Sequence, residues 1–159
     1  FIAGYHSGTR QAAPGITCHH DYSQDFLTQA VCKEKALNQI AQGSTVEFQV
    51  AGQCGLGVLD AAKEKKVFGI GVDADQGYLG TQVMTSALKK VDVSVFSAIS
   101  RAKGGTLGGG QNTIFDAKVN GVWYGNWSPK VSAQIKSAVA AHLKLLKAVK
   151  IKSFPAPVN

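Results

Sequence analysis

The chain has 159 residues, of which 45% are hydrophobic and 17% charged, and its formal net charge at neutral pH is +7. This composition is typical of a globular protein with enough apolar residues for one folded domain, and it argues against a disordered chain. The lysines are dispersed, no aromatic platform lies among them and no nucleic-acid-binding motif occurs, so we expect no nucleic-acid partner.

The chain begins at Phe1 rather than at a methionine or a leader peptide. Its first residues are typical of structured sequence, so we expect a processed or truncated piece of a longer protein. No apolar run reaches the roughly 18 residues that a transmembrane helix needs.

Along most of the chain, segments with the apolar spacing of a helix alternate with segments that have the spacing of a strand. This order predicts an α/β fold, with a Rossmann-like parallel sheet and helices on both faces. In chain order, the predicted elements are a helix over 1–13, a strand over 16–20, a helix starting near 26, a strand over 46–51, a helix over 58–65, a strand over 67–72, a short strand near 83–85 and a helix over 87–102.

The remaining third of the chain breaks this alternation. A glycine-rich connection over 104–110 precedes the pair Asn120-Gly121, which predicts a β-hairpin with strands over 112–119 and 122–127. Pro129 is expected to open a last helix, and the tail from residue 149 is predicted to be extended.

Polar side chains follow the strand predicted over 67–72. Asp73, Asp75 and Gln76 stand at its carboxyl end, the edge where open α/β sheets bind ligands. Their oxygens suit a ligand rich in hydroxyl or N–H donors, and Lys89 supplies a cation near the predicted start of the next helix. A polar loop capped by aspartates is the alternative interpretation.

A glycine-rich loop with the pattern Gly52-x-x-Gly55-x-Gly57 follows the strand over 46–51. It resembles a phosphate-binding loop only loosely, but its glycines permit close approach of backbone N–H groups to a ligand. Two aromatic residues lie near the same predicted edge: Phe26, placed to stack on a flat ligand, and Phe48, whose mid-strand position also suits core packing.

No pattern indicates a metal centre or a catalytic centre. His19 and His20 are neighbours on a predicted strand and would point to opposite faces, so they do not form a chelating pair. Ser86 and Lys89 have S-x-x-K spacing without the partner motifs of such enzymes, and we interpret Ser86 as a helix cap. We therefore expect no metal, no cofactor and no enzymatic reaction.

Three cysteines, Cys18, Cys32 and Cys54, have no zinc-ligand spacing. We expect a disulfide between Cys32 and Cys54, because a helix beginning near Phe26 and the loop after residue 51 should meet at the ligand edge of the sheet. Three reduced thiols remain the alternative.

Several segments, in their order and spacing, carry a family resemblance. They are Gln-Val-Ala-Gly-Gln-Cys-Gly-Leu-Gly-Val over 49–58, Gly-Val-Asp-Ala-Asp-Gln over 71–76 and Thr-Ser-Ala-Leu-Lys over 85–89. With them, the chain resembles the basic membrane protein family, the substrate-binding proteins of ABC importers for nucleosides. The resemblance extends over nearly the whole chain.

That resemblance implies a type I periplasmic-binding-protein fold, in which two Rossmann-like lobes enclose the ligand. Residues 1–105 would be the second lobe, residues 106–148 a crossover hairpin and helix belonging with a first lobe that is largely missing, and residues 149–159 a tail returning to the second lobe.

The resemblance also implies roles for individual residues. Asp73 or Asp75, with Lys89, would hold ribose hydroxyls, Gly52 would offer backbone contact, and Phe26 or Phe48 would stack on the base. We keep Gln76 as a further ligand candidate from its position after the strand.

The leading hypothesis is an extracytoplasmic solute-binding protein, or a fragment of one, that captures a nucleoside or similar small polar ligand for an ABC permease. It would lie in the periplasm or on the outer face of the cytoplasmic membrane, from a lipid-anchored precursor. The alternatives are a Rossmann-like enzyme acting on a nucleotide or sugar, and the ligand-sensing domain of a regulator.

Overall fold

The computed structural model of the protein describes residues 1–148, so the tail predicted over 149–159 lies outside the described residues. The described chain divides into two compact units, residues 1–70 and residues 71–148. The described residues form one four-stranded sheet whose strands lie in chain order, and the α/β fold class with a predominantly parallel sheet is confirmed. The lobe boundary predicted after residue 105 stays a prediction.

The first unit contains three helices and begins the sheet. Its elements are α1 (Ile2–Ala12), α2 (Gln29–Ala41), β1 (Val46–Phe48), α3 (Gly55–Glu64) and the first half of β2 (Phe68–Asp73). Strands β1 and β2 are parallel, with Val46 opposite Phe68 and Phe48 opposite Ile70.

The core of the first unit lies where α2 and α3 pack together. Its buried apolar side chains come from these two helices and from Cys54, the residue before α3; the helical ones are Cys32, Ala36, Leu59, Ala61 and Ala62. A Cβ atom at Gly57 would lie 2.0 Å from the backbone oxygen of Gln29, so the two helices approach at a distance that only glycine permits.

The second unit contains the end of β2 and the remaining elements. These are a 3₁₀ turn (Gly77–Leu79), β3 (Val83–Lys89), α4 (Val91–Lys103), β4 (Val122–Tyr124) and α5 (Ala133–Lys147). Strand β4 is antiparallel to β3, with Lys89 opposite Val122 and Ala87 opposite Tyr124. Helix α4 buries none of its residues, and Val91, Val95, Phe96 and Ile99 are exposed.

Two predicted elements are absent. Residues 16–20 form no strand, because no strand within residues 1–148 pairs with this segment, and Ile16 stays about half exposed. The predicted hairpin is also wrong: residues 112–119 form no strand, and β4 pairs with β3 instead. Asp116 closes a turn there, because its side chain accepts from the backbone N–H groups of Lys118 and Val119.

The predicted boundary between β3 and α4 is wrong as well. Strand β3 continues through Lys89, and α4 begins only at Val91. Ser86 is therefore a buried strand residue and not a helix cap, and Lys89 ends a strand instead of opening a helix. The pairing of β3 with β4 explains the extension, since it satisfies the backbone groups of residues 87–89.

Helix starts also differ from the predictions. Helix α2 begins at Gln29 rather than near Phe26, because the Asp25 side chain accepts from the N–H groups of Leu27 and Thr28 and holds a turn before the helix. Helix α3 begins at Gly55, three residues early, and α5 begins after Ser132, whose hydroxyl accepts from the Ile135 N–H.

Candidate ligand-binding site

An ion pair joins the ends of two strands in the second unit. Asp73 is the last residue of β2 and Lys89 the last residue of β3, and the Lys89 Nζ lies 2.9 Å from Asp73 Oδ1. Both side chains are about half exposed, at 51% and 52%. The structure thus brings together the carboxylate and the cation that the sequence singled out, at a place open to a solute.

The backbone of Asp73 adopts a left-handed conformation, with φ of 65°. Aspartate and asparagine enter this region more readily than other residues with a side chain. The strand therefore turns sharply at the residue that carries the carboxylate.

Asp75 is held by protein donors. Its Oδ1 accepts from the Gly77 N–H at 3.1 Å, and its Oδ2 accepts from the Asn126 backbone N–H at 3.0 Å and from Asn126 Nδ2 at 2.7 Å. These hydrogen bonds, led by the one from the Asn126 backbone, hold the pKa of the Asp75 carboxyl below its ordinary value. Both carboxylate oxygens of Asp75 thus serve the protein's own structure.

Gln76 contacts the two flanking strands. Its Oε1 accepts from the Val72 N–H at 3.0 Å, and its backbone N–H donates to the Ser86 hydroxyl at 2.9 Å. A Cβ atom at Gly71 would lie 2.5 Å from Ser86 Oγ and 2.7 Å from Gln76 Oε1. The glycine of the Gly-Val-Asp motif therefore makes room for this polar contact.

In the first unit, Phe26 and Gly52 lie together. The Phe26 carbonyl accepts from the Cys54 N–H at 3.0 Å, and a Cβ atom at Gly52, which has φ of 57°, would lie 3.2 Å from the same carbonyl. The Phe26 side chain is 72% exposed. An exposed aromatic ring beside a glycine-lined backbone offers an apolar face that a flat solute can stack on.

Phe48 has a different environment. Its ring packs against Tyr5 of α1 at a centroid distance of 5.2 Å and meets Phe1 edge-on at 6.4 Å. Packing between β1 and α1 accounts for this ring, and its role as a ligand contact stays a prediction.

A disulfide joins Cys32 of α2 to Cys54, the residue before α3. It anchors the first residues of α3 directly after the Gly52 loop. Cys18 carries a free thiol, 3.1 Å from the Thr9 hydroxyl.

Residues 1–148 contain no cluster of histidine, cysteine and acidic side chains that could hold a metal ion. Within the same residues, no helix has the length and hydropathy needed to cross a membrane.

Sequence reasoning missed the residues that surround Asp75. Asn126 lies 51 positions further along the chain, and no local motif links it to the aspartate. Ser86 could have been found from the sequence, since it lies in the Thr-Ser-x-x-Lys motif. The helix predicted to start at residue 87 made it a cap, whereas the structure buries it in β3.

Comparison with known proteins identifies the family. Residues 1–154 match the family described as ABC transporter substrate-binding protein PnrA-like. Basic membrane protein D of Borreliella burgdorferi is 34% identical, over 77% of this chain and 37% of that protein. The ABC transporter nucleoside-binding protein BmpA of Lactococcus lactis is 31% identical, over 88% of this chain and 44% of that protein.

A solved structure supports the fold. An ABC transporter solute-binding protein from Aeropyrum pernix superposes with a TM-score of 0.77 at 21% identity, over 99% of this chain and 53% of that one. The chain spans less than half the length of the two curated relatives above. With the family match covering nearly every residue, the chain belongs to the family of PnrA-like ABC transporter substrate-binding proteins.

Proposed function

We propose that this chain is part of an extracytoplasmic solute-binding protein that captures a nucleoside, or a similar small polar solute, and delivers it to an ABC permease. The observation that carries the proposal is the half-exposed ion pair between Asp73 and Lys89 at the ends of β2 and β3. The relatives named basic membrane protein and ABC transporter nucleoside-binding protein support an association with a membrane transporter and the ligand class.

The chemistry of the pair suits the two neighbouring hydroxyls of a ribose. A carboxylate accepts from both hydroxyls, and an ammonium group donates to the oxygen of either one. Such charge-assisted hydrogen bonds are stronger than neutral ones. Within the first unit taken by itself, the exposed ring of Phe26 beside Gly52 offers an aromatic face on which a flat solute could stack.

The proposed role is binding without chemical conversion. The solute should therefore be recovered unchanged after incubation with the protein. The lysine and the aspartate act as hydrogen-bonding partners, and neither transfers a group to the ligand.

The test is calorimetric titration with a panel of nucleosides, free bases and ribose, using protein from its native source whose intact mass is recorded first. We expect saturable binding of at least one nucleoside. Replacing Asp73→Asn or Lys89→Met should weaken it by about 10- to 100-fold, the effect of losing a hydrogen bond to a charged group.

Lys103→Met is the matched control, because Lys103 is an exposed lysine in the last turn of α4. It should leave affinity unchanged. Absence of binding across the whole panel, or conversion of the solute, would contradict the proposal. Conversion would favour an enzyme, and absence of binding would leave the regulator or the enzyme as alternatives.

A further inference from the structure

We propose that Asn126 is a positioning residue for the ligand site: by holding Asp75, it fixes the segment that carries Asp73 and so sets the distance between Asp73 and Lys89. This inference rests on the proposed function, since it concerns the same pair. Within the described residues, Asn126 forms hydrogen bonds with Asp75 and with neither member of the pair, so it would act through Asp75.

The first step is the double contact between Asn126 and Asp75. The backbone N–H and the side-chain amide of Asn126 both donate to Asp75 Oδ2, at 3.0 Å and 2.7 Å. Because Gly77 donates to Oδ1, the carboxylate is held from both sides. Three N–H groups occupy most of the hydrogen-bond acceptor positions of the Asp75 carboxylate. We therefore assign the proposed contact with ribose to Asp73.

The second step is the close approach of Gly125. A Cβ atom at this position would lie 2.8 Å from Asp75 Oδ1 and 2.9 Å from Asp75 Cγ. The Gly125 N–H donates to the Ser86 carbonyl at 2.8 Å, and its carbonyl accepts from the Thr85 hydroxyl at 3.0 Å. A side chain at 125 would thus push against the carboxylate that Asn126 holds, and glycine leaves room for this contact.

The third step is the continuity of one short segment, residues 121–126. Its first part holds the end of β3, since Val122 pairs with Lys89 and the Lys90 N–H donates to the Gly121 carbonyl at 2.9 Å. Its last part holds Asp75, two residues after Asp73. The same six residues therefore fix the positions of both members of the ion pair.

The experiment compares nucleoside affinity in single and double variants. Asn126→Ala should weaken binding about tenfold, because it removes the side-chain bond but keeps the backbone bond. Asn126→Asp should weaken it further, since two carboxylates would then face each other. Asn112→Ala, an exposed asparagine in the preceding loop, is the control and should bind as the unmodified protein does.

Two further variants separate positioning from a general loss of structure. In the Asn126→Asp protein, Asp75→Asn exchanges donor and acceptor and should restore much of the affinity. In a protein that already carries Asp73→Asn, adding Asn126→Ala should lower the nucleoside affinity little further, because effects that act through one group are not additive. The inference would be overturned if Asn126→Ala lowered affinity equally in the unmodified protein and in the Asp73→Asn protein. It would also be overturned if Asn126→Ala did not lower affinity at all.

A ligand-free measurement keeps this result distinct from the proposed function. Asn126→Ala should move the carboxyl ¹³C resonance of Asp73, whereas Asn112→Ala should not. If no nucleoside binds the unmodified protein, the proposed function fails while this resonance still tests the positioning. An unchanged Asp73 resonance in Asn126→Ala would overturn the inference whatever the ligand is.

Discussion

Glu47 is a carboxylate buried on β1, with only 4% of its surface exposed. Its Oε1 has no hydrogen-bond partner within the described residues. Burial raises the pKa of the Glu47 carboxyl, and a hydrogen bond from Ser44 and the nearby His19 offset only part of that effect. An ionised carboxylate that is buried without a partner for each oxygen destabilises the folded state.

The stability of the protein should therefore depend on pH through this residue. The folded state binds the Glu47 proton more tightly than the unfolded state, so the free energy of unfolding falls as pH rises from about 4 to the raised pKa, and then stays level. Replacing Glu47→Gln should remove this fall and raise stability at pH 7 by about 1 kcal/mol or more.

Urea unfolding at several pH values measures the effect. Glu34→Gln, an exposed glutamate on α2, is the matched control and should change little at any pH. A Glu47→Gln protein that is less stable than the unmodified one at pH 7 would show that the ionised carboxylate has a partner in solution.

At the scale of elements, the contact between α2 and α3 depends on Gly57. A methyl group there would meet the backbone of Gln29 and of Lys33, at 2.0 Å and 3.0 Å, and backbone cannot move aside as a flexible side chain can. Gly57→Ala should thus destabilise the protein by about 1–3 kcal/mol or more.

Gly8→Ala is the matched control in this case. Gly8 lies within α1, and an added Cβ atom there would meet no atom within 4 Å. Because alanine favours a helix over glycine, this change should stabilise the protein by about 0.5–1 kcal/mol. Thermal unfolding compares the two variants, and a harmless Gly57→Ala would mean that the helices separate more easily than this contact implies.

The elements also show what sequence reasoning can reach. Helical spacing predicted α1 to within a residue, and the apolar run after Lys66 predicted β2 closely, because both signals are local. The strand expected over 16–20 and the hairpin at Asn120-Gly121 failed for the opposite reason: a strand exists only with a partner, and the choice of partner is made by distant residues.

The same distinction applies to the site. Asp73 and Lys89 were singled out from their motifs, and the structure brings them together. The contact of Asn126 with Asp75 spans 51 positions and has no local signature, so it could be found only from the folded chain.

At the scale of the whole molecule, one covalent cross-link joins residues 22 positions apart, Cys32 and Cys54. A cross-link of this span reduces the freedom of the unfolded chain, which in the chain-entropy account contributes about 3 kcal/mol to stability. Replacing both residues by alanine should lower the free energy of unfolding by about that amount, as measured in urea. Cys18→Ser should lower it far less.

Thiol labelling tests the pairing directly. In denaturant without a reductant, mass spectrometry should show one alkylated cysteine, Cys18, and three after reduction. Labelling of all three thiols without reductant would refute the disulfide.

The left-handed backbone of Asp73 restricts what mutation can offer at this position. Of the residues that a single base change can produce from an aspartate codon, asparagine and glycine are among the few that tolerate such a φ angle. Asparagine keeps the shape but loses the charge, and glycine loses the polar group altogether. Backbone geometry and the proposed ligand chemistry thus favour the same residue by separate criteria, so we expect few substitutions at this position to be tolerated.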